Sequence, residues 1–149
     1  MNKAHEKPIK ILFVCLANLC RSPMAKAIAE AVYGGMIEAE SAGIMPATGP
    51  PFPETVIILR EHYGADISAH KPRHVLEYPI ADFDYIIALD TPVFIRLNEM
   101  KEIPREKLYG WEIADPCGLG MESYERTALR IEDELERFVH RVETERKRR

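Results

Sequence analysis

Short β-rich runs alternate with helix-like segments along the whole chain, and this alternation limits the fold more than any other feature. Residues 9–14 (IKILFV) form an apolar, β-branched run suited to a buried strand. Ser22 and Pro23 follow as a favoured N-cap and first helical residue, opening a helix that runs to about Val32 and stops at Gly34 and Gly35. Residues 37–41 read as a second strand, 53–63 as a helix closed by Gly64, and 83–89 as a third strand. Residues 91–100 read as a helix with Thr91 as N-cap and Pro92 next, and 107–113 as a fourth strand. Near the end, Tyr124, Ala128, Ile131, Leu135, Phe138 and Val142 recur at spacings of four and three, the apolar stripe of a helix packed on a core.

Strands alternating with helices imply an α/β fold: a four-stranded parallel sheet with helices on both faces. In such a sheet the loops after the strands' carboxyl ends share one rim, where ligands bind and where residues far apart in sequence meet. The 149 residues suffice for one core, so a single domain over 1–149 is expected, with 1–8 and 144–149 as mobile ends. The segment 143–149 is a charge run that reads as a solvated helix end.

The formal net charge of -4 argues against nucleic acid as a partner, because phosphate backbones demand a basic surface. It leaves room for one local anion site. No stretch approaches the roughly 20 apolar residues that span a bilayer, so no membrane partner is expected. Residues 1–10 are polar and lack a signal-peptide core, which makes a cytoplasmic location the expectation. Three cysteines, Cys15, Cys20 and Cys117, are too few for a disulfide scaffold; catalysis, redox sensing or plain burial remain.

Chemistry concentrates in Cys15-Leu16-Ala17-Asn18-Leu19-Cys20-Arg21-Ser22, between the first strand and the first helix. A loop there can turn several backbone N–H groups to one point, and the helix N-terminus adds its partial positive charge. Asn18 suits the left-handed backbone such a loop needs. The same field favours a thiolate at Cys15, to which Ser22 could donate a hydrogen bond. Arg21 offers a planar, permanently charged fork that matches two phosphate oxygens. Considered singly, Cys15 is also a small apolar residue at a strand end and Arg21 a surface cation. Their place between a strand and a helix start favours the site. Cys15 and Cys20 share one curled loop, so a redox pairing of the two is expected. Asp115 before Pro116 reads as a turn residue, and Cys117 beside it as a turn residue or a redox partner. His70 and His74 have a metal-ligand spacing, but Pro72 breaks any helix between them and no third ligand is evident; no metal is expected.

The segment 14–23 (VCLANLCRSP) resembles the signature of the low-molecular-weight protein tyrosine phosphatases. Asp115-Pro116, Ser41-Ala42-Gly43, 66–70 (DISAH) and 83–86 (FDYI) fall in the family's order, so the resemblance spans about residues 9–142. It implies hydrolysis of phosphotyrosine and other aryl phosphomonoesters through a phosphocysteine. Cys15 would attack phosphorus, Arg21 bind the transferring group, and Asp115 protonate the leaving oxygen and then activate water. Leu16, Ala17, Asn18, Leu19, Cys20, Arg21 and Ser22 would bind the phosphate; Asn18, Ser22, Ser41 and His70 would hold the loop. No cofactor is implied; a phosphorylated protein or small aryl phosphate would be the substrate, and inorganic phosphate or other oxyanions ligands. Three rivals share parts of this pattern. A thiol-dependent arsenate reductase needs two further cysteines, usually after the third strand, where 89–92 reads LDTP. A phosphoryl carrier would need neither Arg21 nor Asp115. A phosphoarginine phosphatase of the same family typically carries Thr where this chain has Leu19. Tyrosine-specific members place aromatics where this chain has Cys117 and about Pro46.

Overall fold

The structure, a computed structural model, describes residues 7–149. Strand β1 (Ile9–Cys15) is buried on both faces apart from Lys10, which is why it reads as an unbroken apolar run. Ile11 and Phe13 enter one core and Leu12 and Val14 the other, the two-residue alternation of a central strand. Three further strands follow in the chain: β2 (Ile37–Gly43), β3 (Tyr85–Ala88) and β4 (Leu108–Gly110). All pair in parallel in the order β2-β1-β3-β4.

Helices α1 (Arg21–Tyr33), α2 (Pro53–Tyr63) and α4 (Met121–Lys147) cover one face, burying Met24, Ile28, Leu59 and the whole predicted stripe of α4. Helix α3 (Thr91–Glu99) covers the other, with Val93 and Leu97 against Leu12, Val14, Val75 and Phe83. Each fully buried Leu or Ile side chain contributes about 1.5–3 kcal/mol relative to exposure.

Register brings β1 and β2 to the same rim, with Cys15 beside Gly43. A Cβ on Gly43 would lie 2.7 Å from the Leu16 carbonyl oxygen and 3.1 Å from the Asn18 Cβ. Only glycine lets the loop after β1 fold this closely over β2.

Several boundaries differ from the sequence expectation. Helix α1 starts at Arg21, and its N-cap, Cys20, makes no side-chain capping bond. Ser22 lies inside the helix, because its hydroxyl is engaged with the loop. Asp90, not Thr91, caps α3: its Oδ1 accepts the Val93 N–H at 2.9 Å. Strand β2 runs on to Gly43, and β3 is shorter than 83–89 because Phe83 closes a 3-10 turn. Beyond β4, Trp111 N–H to Ala88 O (2.8 Å) and Ile113 N–H to Leu89 O (2.9 Å) keep the chain beside β3 as far as Ile113. Of the ends expected to be mobile, residues 1–6 lie outside the described residues and 144–147 belong to α4.

Candidate active site

The loop after β1 is shaped by where its carbonyls go. Those of Cys15, Leu16 and Ala17 accept the N–H groups of Ile44 (3.1 Å), Met45 (2.8 Å) and Ala47 (3.0 Å), and that of Asn18 faces His70 Nε2 at 2.7 Å. In a planar trans peptide the N–H points opposite to the C=O. Turning these carbonyls outward therefore turns the N–H groups of Leu16, Ala17, Asn18 and Leu19 inward. One of them, Asn18 N–H, lies 3.3 Å from Cys15 Sγ. The cradle opens above the uncapped first turn of α1, whose free N–H groups add to the same positive field.

Asn18 is the keystone. It is fully buried and, at φ 58°, is the one non-glycine residue with positive φ among the described residues. Its Oδ1 accepts the Arg73 backbone N–H at 2.9 Å; its Nδ2 donates to Ser22 Oγ at 2.7 Å and Ser41 Oγ at 3.0 Å. These bonds offset the cost of a left-handed backbone. Tyr78 steadies the far side, its hydroxyl donating to Ser41 O at 3.0 Å.

Cys15 Sγ lies 2.9 Å from Ser22 Oγ. Ser22 Oγ already accepts from Asn18 and has one proton, for which Cys15 Sγ and Ala42 O (3.2 Å) compete. A thiolate wins that proton, since hydrogen bonds to a charged acceptor are the stronger. Ser22 O–H and Asn18 N–H then both stabilise the sulfur anion.

Arg21 is 7% exposed, and its Nη1 donates to Asp90 Oδ2 at 2.7 Å and to Ile113 O at 3.0 Å. Burial disfavours its charge, but the Asp90 hydrogen bond and the charges of Cys15, Asp90 and Asp115 raise its pKa. Asp115 sits two residues beyond Ile113, exposed, with Oδ1 accepting the Cys117 N–H at 3.0 Å. Its charge is felt at both Arg21 and Cys20. Cys20 is buried beneath the cradle; burial, with the charges of Asp115 and Cys15, pushes its thiol up to about 12.

Cys15, Asn18, Arg21, Ser22, Ser41 and His70 thus meet at one rim. His74 instead caps the turn Val75–Glu77, its Nδ1 accepting the Leu76 N–H at 3.0 Å. Among the described residues no group of three His, Cys, Asp or Glu could hold a metal ion. Sequence reasoning missed Asp90, Arg73 and Tyr78. Ranking Asp above Thr as an N-cap would have found the first; a backbone N–H such as that of Arg73 leaves no mark in the sequence.

Residues 10–148 match the family described as low molecular weight phosphotyrosine protein phosphatase. The low molecular weight protein-tyrosine-phosphatase YfkJ of Bacillus subtilis is 46% identical over 99 residues, which is 62% of this chain and 63% of that protein. The solved structure of the YwlE arginine phosphatase from Geobacillus stearothermophilus superposes with a TM-score of 0.82 at 26% identity, covering 95% of this chain and 97% of that one. The glutaredoxin arsenate reductase of Synechocystis is 27% identical over 134 residues, 89% of this chain and 98% of that protein. Relatives with different named activities therefore surround one shared fold. Since the match runs almost from end to end and includes the loop curled around Cys15, the chain belongs to the low molecular weight phosphotyrosine protein phosphatase family.

Proposed function

We propose that this family member hydrolyses phosphotyrosine and other aryl phosphomonoesters through a phosphocysteine on Cys15. The observation that carries this reading is the convergence of Asn18 N–H and Ser22 Oγ on Cys15 Sγ inside a ring of inward N–H groups. The substrate's phosphate oxygens take those N–H groups and the Arg21 guanidinium. Cys15 sulfur attacks phosphorus, the P–O bond to the leaving group breaks, and Asp115 gives that oxygen its proton. Asp115 then takes a proton from water, the water oxygen attacks phosphorus, and the S–P bond breaks. The returning thiolate is held by Ser22 and Asn18.

Leu19 is buried in the cradle, so the position at which phosphoarginine-directed relatives typically carry Thr brings no hydroxyl to the site. This favours the tyrosine branch. For an arsenate reductase, residues 89–92 hold no cysteine and Cys117 is the one exposed thiol. We further propose that the substrate is a cytoplasmic phosphorylated protein or a small aryl phosphate, with inorganic phosphate as product and competing ligand. No described helix is long and apolar enough to cross a membrane.

The test is Cys15→Ser, with a panel of phosphotyrosine, phosphoarginine and phosphoserine peptides on the parent. The variant is expected to lose turnover of an aryl phosphate and keep oxyanion binding, because Ser is far the weaker nucleophile at neutral pH. Turnover retained by the variant in the presence of a chelator sinks the mechanism. Parent turnover of phosphoarginine in preference to phosphotyrosine reassigns the substrate.

A further inference from the structure

Arg21 poses a problem in the empty enzyme. A guanidinium this buried needs an anion or acceptors around it before any substrate arrives. Both acceptors are protein groups on neighbouring loops: Asp90 after β3 and Ile113 after β4. Each hydrogen of Nη1 has one of them, Asp90 Oδ2 at 2.7 Å and Ile113 O at 3.0 Å. The hydrogens left to a ligand are those of Nε and Nη2, which together form one edge of the planar fork. That edge matches two oxygens of a phosphate.

Asp90 is itself held. Its Oδ1 accepts the Val93 N–H at 2.9 Å as the N-cap of α3, while Oδ2 takes Arg21. Its loop is fixed to the strand that carries Cys15, with Leu89 N–H donating to Val14 O at 2.9 Å. A carboxylate beside an anion cradle opposes the charge of an incoming phosphate, so its presence there serves order rather than attraction.

We propose that Asp90 is a positioning residue: by holding Nη1 of Arg21 it presents the Nε–Nη2 edge to the phosphoryl group and keeps the empty site assembled. The inference rests on the phosphomonoesterase reading. Through the same Nη1, Ile113 O joins the cradle to the loop that carries Asp115 two residues further on.

The test uses the full chain with Asp90→Asn. Asn caps a helix as well as Asp, so α3 keeps its start, while the charge that holds Arg21 is gone. The variant is expected to melt close to the parent. Its kcat/KM for 4-nitrophenyl phosphate falls about tenfold or more, equally for phenyl phosphate, because the fork holds the phosphoryl group and not the leaving group. Inorganic phosphate binds more weakly to Asp90→Asn than to the parent. A purely electrostatic role predicts the opposite sign, tighter phosphate binding once the negative charge is removed. In an Arg21→Ala background, adding Asp90→Asn changes phosphate affinity by less than about twofold, since the partner it acts through is absent.

Tighter phosphate binding by Asp90→Asn, kcat/KM within about twofold of the parent, or an undiminished effect in the Arg21→Ala background overturns the proposal. A parent that hydrolyses no phosphomonoester, while Asp90→Asn still weakens phosphate binding, overturns the functional reading and leaves the role of Asp90 at the anion site intact.

Discussion

Nε2 of His70 lies 2.7 Å from the backbone carbonyl oxygen of Asn18, the residue whose left-handed backbone turns the cradle. A carbonyl can only accept, so Nε2 carries the proton and donates it. This bond helps turn the 18–19 peptide so that its N–H faces into the cradle. Loss of a hydrogen bond at a half-buried site costs about 1–3 kcal/mol. Where that energy is expressed as a disordered cradle, His70→Ala lowers kcat/KM for an aryl phosphate by about tenfold, at 1.4 kcal/mol per decade. Steady-state kinetics measures this, and an unchanged kcat/KM shows that Asn18 holds its backbone without His70.

The same pair fixes a pH dependence of stability. Burial holds the His70 pKa below its ordinary 6.5, nearby Lys26 adds to this, and the Asn18 hydrogen bond opposes both. With the folded pKa below the unfolded one, the unfolded chain takes up a proton that the folded protein resists. The stability contributed by neutral His70 is therefore complete above about pH 6.5 and is lost as pH falls toward the lowered folded pKa. His70→Gln removes this component. The parent's melting temperature is expected to fall more between pH 7.5 and 5.5 than the variant's, and parallel curves would mean that other groups govern the acid limb.

Asp115 stands exposed at the rim, on the loop tied to Arg21 through Ile113 O. In the proposed role of proton donor it matters most where the leaving oxygen is basic. Asp115→Asn is expected to slow phenyl phosphate by about 100-fold or more and an activated nitrophenyl ester much less. A series of aryl phosphates of graded leaving-group pKa reads this as a steeper dependence in the variant. A small, uniform loss across the series would assign Asp115 to the turn that it makes with the Cys117 N–H.

Cys20 lies on the same loop as Cys15 but in a different chemical state. Burial, together with the charges of Asp115 and Cys15, keeps it a thiol, with its pKa pushed up to about 12. Peroxide is therefore expected to oxidise Cys15 first, to a sulfenic acid with release of water. That step removes the Cys15 charge, one of the influences holding Cys20 protonated. Cys20 sulfur then attacks the Cys15 sulfur, its proton leaves with the sulfenic oxygen as a second water, and a Cys15–Cys20 disulfide forms. Mass spectrometry is expected to find that bond, and dithiothreitol to restore activity. In Cys20→Ser no thiol resolves the sulfenic acid, so a second peroxide oxidises it to the sulfinic acid with release of water, and dithiothreitol no longer restores activity. Pairing of Cys15 with Cys117 instead would revive the reductase reading.

What the sequence made legible follows from burial. Strand β1 shows itself because both faces are covered, and α4 because its six stripe residues all enter one core. The cradle was legible because a strand, a loop containing Asn18 and a helix start permit little else. Less visible was any side chain with two roles. Ser22 reads as an N-cap, but Cys15 and Asn18 engage its hydroxyl, and the helix starts two residues earlier, at Arg21, without a side-chain cap. Asp90 and Thr91 are both competent caps, and only the fold decides that Asp90 takes the cap and also Arg21. The turns Val75–Glu77 and Ile80–Asp82 are too short to impose a period.

The resemblance implies two aromatic walls beside the site in tyrosine-directed relatives, and this chain carries no aromatic at either matching position. Cys117 is exposed where one aromatic stands in those enzymes, and about Pro46 takes the place of the other. The aromatics that could fold back are committed elsewhere. Tyr124 is buried in the core on the inner face of α4, Phe52 packs against the core, and Tyr78 donates to Ser41 O with Arg73 stacked 4.2 Å from its ring centre. The exposed apolar groups on the rim loops are aliphatic: Leu16 at 46%, Met45 at 65% and Leu119 at 67% exposure. Leu119 is displayed by a turn with left-handed glycines on either side, Gly118 (φ 78°) and Gly120 (φ 90°). An aromatic pair is worth about 0.5–1.5 kcal/mol beyond area burial. Two missing contacts weaken phosphotyrosine binding by about ten- to a hundredfold, at 1.4 kcal/mol per decade. The cradle itself is complete, so the expected signature is a sound kcat on simple aryl phosphates, a high KM, and little preference for phosphotyrosine peptides. Cys117→Tyr restores one wall and is expected to lower KM for phosphotyrosine more than for a small alkyl phosphate, which has no ring to stack. A low-micromolar KM of the unmodified protein for phosphotyrosine peptides would show that the aliphatic rim grips the ring as well as aromatics do, and would end this argument.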